Sequence, residues 1–84
     1  MNVKAEMEAA LQAAFAPSAL DVVNESYKHA GHAGDDGSGE SHFAVMIRAE
    51  AFQGMNRVAQ HRAVHKALGD IVPRIHALAL DTGV

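Results

Sequence analysis

The sequence predicts an α+β fold in a single domain spanning residues 1–84. The expected order is α-β-β-α-β, with a three-stranded mixed sheet and both helices on one face of it. Three observations carry this. Apolar residues recur at helical spacing over 3–15 and from about 56 to 68. Three other stretches alternate or are rich in β-branched residues, as strands are. The composition, 49% apolar and 20% charged in 84 residues, suits one packed core and neither a disordered chain nor two domains.

The first helix is expected over residues 3 to 15, where Val3, Met7, Ala10, Leu11, Ala14 and Phe15 form one stripe. Asn2 is placed to cap it, Glu6 and Glu8 suit its positive end, and Pro17 stops it. Leu20 to Lys28, with Val22, Val23 and Tyr27, reads as a strand. A glycine- and aspartate-rich loop follows from His29 to Glu40. Ser41 to Ala49 reads as the second strand of a hairpin, with Phe43, Val45 and Ile47 on one face and His42, Ala44, Met46 and Arg48 on the other.

Ala51 to Gly54 is a turn. Asn56 is the expected N-cap of a second helix, whose buried stripe is Val64, Ala67, Leu68 and Ile71 and which Gly69 ends. Arg74 to Asp81 is the third strand. Its two largely apolar faces, His76, Leu78 and Leu80 against Ile75, Ala77 and Ala79, predict an inner strand.

Composition narrows the chemistry. There is no cysteine, so disulfides, thiolate nucleophiles and self-contained thiolate metal sites are excluded. Six histidines stand against that absence. Residues 1–42 hold two basic against seven acidic side chains, and residues 43–84 hold five basic against three acidic. The net charge of −3 argues against nucleic-acid binding by the whole surface but leaves a basic face in the second half. No apolar run approaches a membrane span, and no signal peptide is visible, so a soluble cytoplasmic protein is expected. No catalytic constellation stands out, and a non-enzymatic role is expected.

The histidines divide by setting. His29 and His32 lie three apart in the loop, where flexible backbone could bring both to one metal or leave both in solvent. His61 and His65 are one helical turn apart, a spacing that can hold a transition metal, but the segment lacks the glutamate of a zinc protease. His61 falls at the edge of the buried stripe and is expected to bond to backbone; His65 is expected to be exposed. His42 is expected to pack within the hairpin or bond to the loop. His76, at the end of an apolar strand, reads as a core residue with one ring nitrogen able to face outward. A mononuclear zinc or iron site drawn from these histidines is a further reading. Gly31-His-Ala-Gly34 matches the Gly-x-x-Gly of KH domains in letters only: it joins two strands and precedes Asp35 and Asp36, which repel phosphate. Arg57, Arg62 and Lys66 give the second helix a basic character, suited to nucleic acid or merely to solvent.

Taken together, several segments resemble the BolA family: Val23-Asn-Glu-Ser-Tyr-Lys-His29, Gly39-Glu-Ser-His-Phe-Ala-Val45, Phe52-Gln-Gly54, His61-Arg62 and Ile75-His-Ala-Leu-Ala79. The resemblance covers almost the whole chain. It implies a fold similar to a class II KH domain. It also implies a partner, a monothiol glutaredoxin, and a shared [2Fe–2S] cluster. The glutaredoxin and bound glutathione would each bring one thiolate, and no cluster is expected on this chain alone. By motif match His76 and a loop histidine, His29 or alternatively His32, would be its ligands. Such mixed ligation resembles Rieske centres and should weaken as acid protonates the imidazoles. The free protein is expected as a monomer or weak dimer. The family's other activity is DNA binding by transcription regulators, for which Arg57, Arg62 and Lys66 are the candidates. The family's usual Arg-His-Arg is here Gln60-His61-Arg62, one positive charge fewer.

Overall fold

The computed structural model describes residues 3–25 and 42–84. Helix α1 spans Val3–Phe15, and Val3, Met7 and Leu11, one turn apart, are its buried face. Ala16 ends it with φ of 45°, a left-handed residue whose N–H still donates to the Gln12 carbonyl at 3.0 Å. The predicted cap, Asn2, lies outside the described residues.

Strand β1 runs Ala19–Asn24 and pairs antiparallel with β2, His42–Arg48. The expected continuation of β1 through Tyr27 and Lys28 lies outside the described residues. From Phe43 onward β2 alternates as predicted: Phe43, Val45 and Ile47 are buried under the helices, while Ala44, Met46 and Arg48 are half-buried on the other face; His42, also expected on that face, is buried.

A short 3-10 turn, Glu50–Phe52, drops Phe52 into the core, where its ring centre lies 4.8 Å from that of Phe15. Helix α2 spans Arg57–Leu68. Asn56 caps it as the sequence predicts, its side-chain oxygen accepting from the Ala59 N–H at 2.8 Å. Gly69, at φ 57°, closes it. Val64 and Leu68 are buried, and Ile71 joins them from a second 3-10 turn, Gly69–Arg74, that holds Pro73.

Strand β3 spans Ala77–Gly83, later than the sequence suggests, because residues 69–74 are taken up by that turn. It pairs parallel with β2, so the sheet is mixed, in the order β1-β2-β3. This corrects one expectation: β3 is an edge, and β2 is the inner strand. The physical reason is residue size. The second apolar face of β3 consists of Ala77 and Ala79, too small to demand a covering layer, and both are exposed. Leu78 and Leu80 pack inward beneath α2.

A candidate ligand site at the end of the sheet

His76 sits in a bend between the second 3-10 turn and β3, and it is exposed. Its neighbours in the chain are not loose. The Ile75 N–H donates to the Val72 carbonyl at 3.2 Å, and Ile75 packs against the core. The Arg74 guanidinium donates to both carboxylate oxygens of Glu6 on α1, at 2.9 and 2.8 Å. The result is an anchored turn that presents one outward imidazole.

Beside it lies His42, the first residue of β2. Its side chain is 7% exposed, and its ring centre is 5.2 Å from that of His76, with the planes tilted by 51°. The parallel register explains the meeting: His42 pairs with Ala77, the residue after His76. The carbonyl of His42 also accepts from the Glu25 N–H at 2.8 Å. The segment that carries His29 and His32 therefore leaves the sheet at Glu25 and re-enters it at His42, next to His76. His29, His32 and the Gly31–Gly34 motif themselves lie outside the described residues. The sequence reading missed the His42–His76 contact; the only hint was that each lies near the start of an expected strand.

Other predictions separate here. His65 is exposed, as expected. His61 is half-buried at the edge of the stripe, but its side chain forms no hydrogen bond with a described residue, which corrects the expected bond from its ring to backbone. Its side chain lines one surface cavity with Val58, Arg62 and His65 and another with Arg57, Leu80, Asp81 and Thr82. Among the described residues no three potential ligands gather to hold a metal ion.

Arg57, Arg62 and Lys66 are all exposed, but they do not form one stripe. Arg57 faces the Asp81 end of β3, Arg62 lies beside His65, and Lys66 lines a cavity with Ala14 and Phe15 of α1. Gln60, which stands in place of the family's arginine, has a structural role of its own. Its amide donates to the Met55 carbonyl at 2.8 Å, and its carbonyl accepts from the Thr82 hydroxyl at 2.7 Å, joining α2 to β3. Across the sheet, Arg48 binds the carbonyl and the carboxylate of Asp81 at 3.0 and 2.9 Å.

The fold and this site define a class: a small α+β module with one open imidazole on an anchored turn and no thiolate of its own. The chain belongs to the BolA family, the model of which, described as BolA-like protein, matches residues 11–83. It is 46% identical over 83 residues to an uncharacterized protein in the cobS 5' region of Sinorhizobium sp., covering 96% of this chain and 89% of that protein. It is 39% identical over 83 residues to the DNA-binding transcriptional regulator BolA of Escherichia coli K12, covering 98% of this chain and 75% of that one. The structure of BolA1 from Arabidopsis thaliana superposes with a TM-score of 0.87 at 37% identity, covering 99% of this chain and 92% of that one. Among the described residues no helix is long and apolar enough to cross a membrane.

Proposed function

We propose that this protein is a non-enzymatic binding module that docks on a monothiol glutaredoxin and contributes His76 and one loop histidine, His29 or His32, to a shared [2Fe–2S] cluster. The observation that carries this reading is His76 itself: an exposed imidazole whose neighbours Arg74 and Ile75 are both anchored. Ligands on rigid elements hold a metal better than ligands on loose ones. The donor chemistry fits. Imidazole is an established ligand of two-iron clusters, but only alongside thiolates. This chain has none, so a thiol-bearing partner and glutathione would complete the set. His29 lies four residues beyond Glu25, a tether of at most about 14 Å. The cluster would supply an exchangeable iron–sulfur unit for trafficking or for iron and redox sensing.

The test is to mix the protein with a cluster-loaded, glutathione-bound monothiol glutaredoxin and record visible absorption and circular dichroism. A new spectrum at one-to-one stoichiometry, lost with His76→Ala and altered with the His29→Ala, His32→Ala double variant, is expected. If the spectrum remains that of the glutaredoxin alone, the reading fails.

A second reading, a DNA-binding regulator, is favoured by the name of the E. coli relative and by the exposure of Arg57, Arg62 and Lys66. Each neutralised phosphate contributes about 0.9 to the slope of log affinity against log salt, so losing both contacts in Arg62→Glu, Lys66→Glu should flatten it by about 2. Equal binding to promoter and random duplexes at moderate salt would remove this reading.

A further inference from the structure

Gln60 and Val64 fix how helix α2 is turned. Gln60 is bonded to the Met55 carbonyl and the Thr82 hydroxyl, and Val64 is fully buried. The residue after each is a histidine. His61 and His65 therefore lie one helical turn apart on the neighbouring face, a spacing that sets their Cβ atoms about 5–6 Å apart. Both side chains line one surface cavity with Val58 and Arg62. The helix beneath them is held at both ends, by the Asn56 cap at 2.8 Å and by the Gly69 N–H, which donates to the His65 carbonyl.

Neither imidazole makes a hydrogen bond, ion pair or ring contact with a described residue. His65 is exposed and His61 half-buried, so the rings turn about their side-chain bonds without breaking a polar contact. Two nitrogens that share one ion at about 2.0–2.1 Å stand about 3 Å apart, within reach of two histidines one turn apart on a helix. The helix already fixes the separation, so binding orders only the ring torsions.

We infer that His61 and His65 chelate a single late first-row divalent ion, copper(II) before nickel(II) or zinc(II), with water or an anion in the remaining positions. The ranking follows the general affinity order of nitrogen ligands for these metals. No thiolate in the chain competes for the ion. The charge of Arg62 opposes a bare dication, but Arg62 is exposed, where solvent and salt screen it, and its guanidinium can donate to an anion bound on the metal. The site is separate from the one proposed around His76. His61 lines its second cavity with Asp81, which lies five residues along β3 from His76, a distance of about 16 Å.

The test is a copper(II) titration of the full-length chain without glutaredoxin, read by paramagnetic broadening of backbone amide signals and by thermal melts. Below one equivalent of copper, the amides of Val58, His61, Arg62 and His65 should broaden first. The melting temperature should rise with copper, because the unfolded chain does not hold the helical spacing. His65→Ala, at an exposed position, should weaken binding at least about tenfold, since one ligand of a linked pair is lost. A copper-free melt of the same variant checks that it folds. His65→Ala combined with Lys66→His keeps the number of imidazoles but turns the second by about 100° around the helix, and should not restore binding. His76→Ala and the His29→Ala, His32→Ala double variant should bind as wild type does. Broadening that begins around His42 and His76 or at the chain's first residues, wild-type affinity in His65→Ala, or recovery through Lys66→His would each overturn the inference.

Discussion

Arg74 and Glu6 form a two-pronged ion pair, with the guanidinium donating at 2.9 and 2.8 Å to the two carboxylate oxygens. The contact ties the first helix to the turn two residues before His76. The hydrogen bond from Arg74, reinforced by its charge, holds the Glu6 carboxyl below its ordinary value against a smaller opposing effect of burial. A depressed carboxyl favours the folded state fully above the unfolded-chain value, and the contribution is lost as pH falls through the folded value. Glu6→Gln should therefore lower the melting temperature at neutral pH, and the gap to wild type should close under acid, where the wild-type carboxyl is also neutral. A gap of equal size at both ends of a thermal-melt pH series would refute this account.

The ends of α2 are set by two residues whose removal should cost similar amounts. Asn56→Ala deletes the acceptor for the Ala59 N–H and should cost about 1 kcal/mol. Gly69→Ala places a side chain at φ 57° and ψ −125°, outside the left-handed helical well and where nothing lies within 4 Å of the new carbon, so the cost is conformational only, about 1–3 kcal/mol. Urea unfolding measures both.

Phe52 is fully buried against Phe15, whereas Val58 on α2 is 57% exposed. Phe52→Ala should cost about 3–5 kcal/mol. That approaches the total stability expected of a domain this small. Val58→Ala should stay within about 0.5 kcal/mol. Equal losses would mean that the core is not centred where Phe52 lies.

Gln60→Arg restores the family's cation at the expense of the bond from Thr82. The variant should lose about 1 kcal/mol of stability. If the DNA reading holds, it should also bind duplex DNA more tightly, with a steeper salt dependence. A stability loss without any gain in DNA affinity would assign position 60 to structure alone.

Much of the fold was legible because its signals are local. The spacing of Val3, Met7 and Leu11 gave α1 to the residue. Asn56 and Gly69 marked both ends of α2, and the alternation of β2 named its buried face. His76 was legible as a candidate ligand through the motif around it. β3 was misread in start and in position, because an apolar stretch of small and large residues does not say which face another layer will cover. His61 was misread because helical angle gives direction and not hydrogen-bond partners.

The sequence by itself determined the order and kind of the elements, the absence of any thiolate and the histidines available in its place, since each follows from composition or short-range periodicity. Only the tertiary structure decided that His42 meets His76, that Glu6 holds Arg74 across 68 residues of chain, and that Gln60 reaches Thr82. Those contacts depend on the parallel register of β2 with β3 and on how the helices lie across the sheet. Both are settled by burying one shared core, which brings together residues that no local pattern relates.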